Sequence, residues 1–415
     1  MNAAPRGVRL HIGTFGRRGV GKSSLLRALT RQQVSTVSPE PGTTADPVEK
    51  PMELMPLGPV LFIDTAGIDD VGALSAPRAE QTMKVLDRTE LAVLVLAEEG
   101  LGSLEIGLLD AFEQRKIPVL PVLNKTDLSK PDEVTMDRLL HHGLKPVALS
   151  ATTGKGLPEL REALVALAPD EFLNAPTIVS DLVAPGECAV LVVPIDKEAP
   201  RGRLILPQAQ AIRDLLDHDA CALVVKEREL REALARLTRK PALVVTDSQA
   251  FPKVAADIPT DVPMTSFSIL FARQKGDLLA FARGALAIDS LRPGDRVAVA
   301  EACSHHPIGE DIGRTEIPRW LGQHIGGPLE VEQVQGRDFV DEPTRYKLVI
   351  HCGACMLGRR EMLSRIFACQ RAGVPITNYG MAIAHCLGVI ERALQPFPAA
   401  IHAYREGAAA RPNAR

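Results

Sequence analysis

Val8-Arg9-Leu10-His11-Ile12-Gly13-Thr14-Phe15-Gly16-Arg17-Arg18-Gly19-Val20-Gly21-Lys22-Ser23-Ser24 decides the fold of the amino-terminal part of the chain. Residues 8–15 form an apolar run with strand character. Residues 16–23 then follow Gly-x-x-x-x-Gly-Lys-Ser, and residues 25–29 are apolar and helical in character. Strand, glycine-rich loop and helix, in that order, is what a phosphate-cradling loop needs. Glycine lets backbone N–H groups close around phosphate oxygens, and the helix N-terminus adds partial positive charge. Gly16, Gly19, Val20, Gly21 and Ser24 are expected to build the cradle. Lys22 is expected to reach the outer phosphates, and the Ser23 hydroxyl to bind Mg2+.

The motifs that follow narrow a nucleotide to GTP or GDP. Thr43 and Thr44 lie in a polar, helix-poor stretch suited to a switch loop. Residues 60–63 read as a strand ending in Asp64-Thr65-Ala66-Gly67. Asp64 is expected to hold Mg2+ through water, with Ser23 and Thr44 as the other Mg2+ residues. The Gly67 N–H is expected to sense the γ-phosphate. Lys22, Thr44 and Gly67 are therefore the candidate catalytic set. Residues 91–96 and 117–123 are continuous apolar runs, as buried parallel strands are. The second ends in Asn124-Lys125-Thr126-Asp127, where a carboxylate can accept from guanine N1–H and the 2-amino group. Residues 147–149 lead to Ser150-Ala151, where a backbone N–H can meet guanine O6.

Over roughly the first 165 residues these motifs resemble the TrmE–Era branch of small GTPases. Slow intrinsic hydrolysis is expected, since no arginine finger is evident in the sequence. Ile68 stands where Ras-like enzymes carry a water-orienting Gln. Potassium is a further cofactor candidate, although many potassium-activated relatives carry Asn at the position of Gly19. Arg17 and Arg18 read as solvated loop residues rather than catalytic ones.

Composition sets limits on the rest. The 415 residues suggest two to four domains, and 46% hydrophobic with 24% charged residues is ordinary for globular protein. A net charge of −3 and 4% aromatic content give no basis for expecting nucleic acid or a membrane surface as partner. Seven unevenly spaced cysteines, without an apolar leader over residues 1–10, point to a reducing cytoplasm rather than a disulfide framework.

The fold class expected is α/β: a P-loop GTPase domain over 1–170 plus two further α/β domains with mainly parallel sheets, 171–265 and 266–415. Asn174-Ala175-Pro176 reads as a linker. In 171–265, short apolar strands alternate with helical patterns and nothing carries chemistry; dimerisation would help so small a sheet. Cys188 and Cys221 read there as packing residues, as do Cys369 and Cys386 further on.

In the last domain, two strand-like runs end in sulfur: residues 297–302 lead to Cys303-Ser304-His305, and residues 346–350 to His351-Cys352-Gly353-Ala354-Cys355. Soft thiolates favour zinc or iron–sulfur clusters. A Cys3His zinc site completed by His305 or His351, a cluster on three cysteines, and an unmetallated thiol group all fit this spacing.

Cys303-Ser304-His305 with His351-Cys352-Gly353-Ala354-Cys355 is similar to the signature of HydF, the GTPases that mature FeFe-hydrogenase. Glu310-Asp311-Ile312-Gly313-Arg314 and Gly373-Val374-Pro375-Ile376-Thr377-Asn378-Tyr379-Gly380 resemble that family too. The resemblance covers nearly the whole chain. It implies a dimeric, GTP-hydrolysing scaffold with a 4Fe-4S cluster on Cys303, Cys352 and Cys355. The fourth place would be labile, with His305, His351, an acidic residue such as Glu301, or solvent as candidates. It also implies that a transient di-iron precursor, built by the radical-SAM partners HydE and HydG, passes to apo-hydrogenase HydA. A GTPase of ribosome or tRNA maturation with a structural Cys/His zinc site is the alternative reading.

Overall fold

The structure, a computed structural model, describes residues 9–30, 48–54, 58–65, 77–98, 100–130, 132–169, 172, 176–194, 204–302, 312–336 and 339–410. They form two compact units, Met1–Ala175 and Pro176–Arg415. Asn174 and Ala175 of the expected linker lie outside the described residues.

The first unit carries a six-stranded sheet in the order β2-β3-β1-β4-β5-β6. Its strands are β1 Leu10–Phe15, β2 Val48–Leu54, β3 Gly58–Asp64, β4 Leu91–Leu96, β5 Val119–Leu123 and β6 Val147–Ala148. All pairs are parallel except β2 with β3. β1 and β4 are buried along their whole length, as expected of central strands covered on both faces. β2 was not legible in the sequence. Its Val-Glu-Lys-Pro-Met-Glu-Leu alternates charge with apolar residues and contains Pro51, which an edge strand tolerates.

The second unit carries two four-stranded sheets, both fully parallel. One has the order β10-β9-β7-β8, with β7 Cys188–Val192, β8 Cys221–Val225, β9 Leu243–Thr246 and β10 Met264–Ser266. The other has the order β12-β11-β13-β14, with β11 Arg296–Glu301, β12 Glu330–Gln335, β13 Leu348–His351 and β14 Ile376–Asn378. One continuous apolar core runs from Ile178 to Tyr404 and serves both sheets. Arg392 ties them further, donating to Ala255 O, Ile258 O and Pro259 O at 2.6, 3.1 and 2.9 Å. The helices Phe267–Lys275 and Leu278–Ala285 are separated at Gly276, and each is capped by a side chain, Ser266 and Asp277. The helices Tyr379–Cys386 and Ile390–Leu394 are likewise separated around Gly388, whose φ is 70°.

The helix Leu278–Ala285 lies directly on β14. A Cβ at Gly284 would stand 1.9 Å from Ile376 O, so only glycine permits this approach. Gly284→Ala should therefore cost about 1–3 kcal/mol, read as a lower urea midpoint than the parent; an unchanged midpoint would contradict the packing described.

Candidate functional site

The phosphate-type loop hangs between the end of β1 and the helix Lys22–Thr30. A Cβ at Gly16 (φ 137°) would meet Val95 O at 2.3 Å, and one at Gly21 (φ 95°) would meet Asn124 Nδ2 at 2.2 Å. Both positions therefore require glycine. Lys22 is buried, and its Nζ donates to Gly16 O and Arg17 O, both at 2.8 Å, folding the ammonium over the loop. Ser23 Oγ donates to Asp64 Oδ2 at 2.7 Å. Burial raises the Asp64 carboxyl, against the opposing pull of Ser23, Lys22 and Lys50. A divalent cation would supply the positive charge this half-buried carboxylate calls for.

Asn124 joins the loops. Its Nδ2 donates to Val20 O at 2.8 Å, and its Oδ1 accepts from Ala151 N at 3.0 Å. One amide thus fixes the phosphate loop against the Ser150-Ala151 turn. Ser150 is buried and its Oγ accepts from Thr153 N at 3.1 Å. Lys125 takes a left-handed backbone (φ 65°), and Asp127 is exposed, as a carboxylate awaiting a base would be. Thr43, Thr44, Gly67 and Ile68 lie outside the described residues.

Arg17 departs from the sequence reading. Its Nε and Nη2 donate to Glu105 Oε1 and Oε2 at 2.8 and 3.0 Å, and Glu105 also accepts from Gly102 N at 2.9 Å. Burial alone would raise the Glu105 carboxyl, but these bonds hold it below its usual value. The forked geometry of the guanidinium matches a carboxylate 88 residues away, a pairing that no local pattern reveals. Arg18 is exposed, as expected.

In the second unit, β11 and β13 are parallel neighbours with Ala300 level with His351. Cys352 N donates to Ala300 O at 2.9 Å, and Ala302 N donates to Cys352 Sγ at 3.2 Å. Ala302 directly precedes Cys303, which lies outside the described residues with His305. Cys352 and Cys355 are half-buried across a tight loop in which Ala354 takes φ 53°. Burial raises the Cys352 thiol to about 11, opposed by the Ala302 and Ala354 N–H groups. It raises Cys355 too, with the nearby Lys275 charge pulling the other way.

Lys275 was missed in the sequence, where it reads as an ordinary basic residue in a last helical turn. It is buried, and its Nζ donates to Ala354 O, Cys355 O and Leu357 O at 3.3, 3.0 and 2.9 Å. A single ammonium therefore gathers the carbonyls of the thiol loop.

His351 is fully buried and engaged at both ring nitrogens. Nδ1 donates to Cys352 O at 3.0 Å, and Nε2 accepts from Arg365 Nη1 at 2.9 Å. Burial first, then the Arg365 charge, lowers it to about 3, so the ring is neutral. A ligating nitrogen needs its lone pair, so this geometry counts against His351 as a fourth ligand. Glu301, buried at the end of β11, accepts from Gln335 Nε2 at 3.0 Å and Tyr379 Oη at 3.3 Å. Of the other cysteines, Cys369 is core, while burial and the Asp289 charge push the Cys386 thiol up to about 12. Cys188 and Cys221, read as unrelated packing residues, are register partners on β7 and β8.

Comparison with known proteins falls into three segments. Residues 11–125 match a family described as 50S ribosome-binding GTPase. The tRNA modification GTPase MnmE of Synechococcus sp. is 36% identical over 172 residues, 40% of this chain and 36% of that protein. GTPase Der of Wolinella succinogenes is 33% identical over 194 residues, 43% of this chain and 39% of that protein. The chain thus spans well under half the length of these curated relatives. The G domain of the T. maritima FeoB iron transporter aligns with a TM-score of 0.31 at 26% identity, over 38% of this chain and 98% of that one. Residues 178–276 match the hydrogen maturase F dimerization domain, and residues 279–396 its tetramerization domain. With a GTPase domain ahead of both oligomerisation domains, the chain belongs to the hydrogen maturase F (HydF) family.

Proposed function

We propose that the protein is a GTP-hydrolysing scaffold that carries a 4Fe-4S cluster and assembles or transfers the di-iron subcluster of FeFe-hydrogenase. The observation that supports this most directly is the bond from Ala302 N to Cys352 Sγ. It is a backbone donor aimed at sulfur, between the ends of two strands that both lead into cysteine. The donor set fits the group: Cys352 and Cys355 are half-buried thiols on a tight loop, and Cys303 follows Ala302 in sequence. In this reading Cys303, Cys352 and Cys355 hold the cluster. When bound, the cluster would supply an iron without a protein thiolate, which can take up and release an incoming ligand. Lys275 keeps the loop carbonyls in place and offsets thiolate charge near Cys355. His351, neutral and locked by Arg365, orders the end of β13 and leaves the fourth place to His305, Glu301 or solvent.

In the nucleotide domain, Gly16, Gly19, Val20, Gly21 and Ser24 cradle the phosphates of GTP or GDP. Lys22, Thr44 and Gly67 serve hydrolysis, and Ser23, Thr44 and Asp64 bind Mg2+. Asn124, Lys125, Asp127, Ser150 and Ala151 read the guanine. Residues 171–265 form the dimerising part and 266–415 the cluster-bearing part. HydE and HydG supply the di-iron precursor, apo-HydA receives it, and the GTP state gates partner exchange. Among the described residues no helix is long and apolar enough to cross a membrane.

Asn124→Ala removes both ties between the phosphate loop and the Ser150-Ala151 turn. At about 1 kcal/mol for each bond, GTP should bind about tenfold or more weaker in a fluorescent-nucleotide titration. Lys22→Ala or Asp127→Ala should abolish GTP turnover yet leave the visible spectrum of anaerobically reconstituted protein unchanged. Loss of the cluster in either variant would show that the two activities are not separable. Replacing Cys303, Cys352 or Cys355 by Ala should abolish that spectrum. Full cluster iron in all three variants would sink the assignment. Metal analysis separates the alternative reading, with about four irons and sulfide for a cluster against one zinc for a Cys/His site.

A further inference from the structure

Asp289, His324 and His385 meet where three helical elements end. Asp289 lies in the 3-10 turn Leu286–Ser290, His324 in the last turn of the helix Ile317–Ile325, and His385 in the last turn of Tyr379–Cys386. One carboxylate oxygen, Asp289 Oδ1, stands 2.9 Å from His324 Nε2 and 2.8 Å from His385 Nε2. All three donor atoms lie within 4.8 Å of one another. Two imidazole nitrogens can crowd one carboxylate oxygen only if something positive lies between them: a proton on each ring, or a single cation shared by all three.

The surroundings suit the shared cation. Tyr404 Oη is 2.9 Å from His385 Nδ1, the nitrogen facing away from Asp289. With the proton on Nδ1 and donated to Tyr404, the Nε2 lone pair faces the other two donors. That arrangement of an outer partner is the one that metal-binding histidines use. His385 is 5% exposed, while His324 and Asp289 are 29% and 37% exposed, so the group has a rigid floor and an open, hydrated side. A bound ion would draw the donors to the roughly 2.0–2.2 Å of metal–nitrogen and metal–oxygen bonds.

We propose that Asp289, His324 and His385 form a second metal site, which binds one divalent first-row transition ion and leaves places open to water or an exogenous ligand. Two imidazoles and one carboxylate select Fe2+, Co2+, Ni2+ or Zn2+ over Mg2+ and Ca2+, which prefer all-oxygen surroundings. The site is distinct from the thiol loop. Asn378, level with His351 in the sheet, caps the start of the helix Tyr379–Cys386, whereas His385 lies at its far end, about 10 Å further along the axis.

Co2+ titration of the full chain tests this, because ligand-field bands report donor type. The parent should bind one more Co2+ per chain than His324→Ala or Asp289→Asn, both changes at partly exposed positions. The parent-minus-variant spectrum should show weak visible bands of nitrogen and oxygen ligation. Any cobalt taken by the cysteines is common to both proteins and cancels, so failure of the cluster reading would leave this difference intact. Tyr404→Phe should weaken the extra site about tenfold. Identical titrations in parent and variants would overturn the proposal, leaving an ordinary hydrogen-bonded cluster. So would displacement of the extra Co2+ by equimolar Mg2+ or Ca2+.

Discussion

Parallel pairing of β11 with β13 is the constraint on which the placement of the thiol loop depends. The two strands stand 51 residues apart in register (351 − 300), Ala300 against His351, and both run in the same direction. Their carboxyl ends therefore open on the same edge of the sheet, where ligand sites of open α/β sheets form. The turn after β13 then presents Cys352 to the Ala302 N–H, and the left-handed Ala354 bends the loop back. A slip of one residue would turn the side chains of β13 to the opposite face and take His351 away from Arg365.

Buried charge maintains that edge. Lys275 and Arg365 are both buried, one bonded to three carbonyls and the other to His351 and Glu361. Neither guanidinium nor ammonium would be stable in such a place without these partners, and the loop would have no fixed shape without the cations. The same device appears in the first unit, where Lys22 folds onto Gly16 O and Arg17 O and where Arg17 closes on Glu105. In both units a lysine ammonium organises the backbone oxygens of a loop: the glycine-rich loop in one, the thiol loop in the other.

The continuous core of the second unit also explains why its two small sheets hold together. Each has only four short strands, too few to bury much apolar surface alone. The helices Phe267–Lys275 and Leu278–Ala285, the carbonyl clamp of Arg392, and the close approach at Gly284 join them into one body.

The sequence by itself determined the nucleotide domain. Its glycines, lysine, aspartates and asparagine lie in short contiguous motifs at strand ends, so spacing alone carries the chemistry. It also determined the alternation of strands and helices downstream and the cysteine motifs, because these too are local. Only the tertiary structure decided what depends on residues far apart in the chain: the edge strand β2, the pairing of Arg17 with Glu105, Lys275 beneath the thiol loop, the use of both His351 nitrogens, and the convergence of Asp289, His324 and His385. In each case one partner looks unremarkable in its own stretch. The interaction exists because folding brings it to a specific donor or acceptor, and no one-dimensional pattern records that distance.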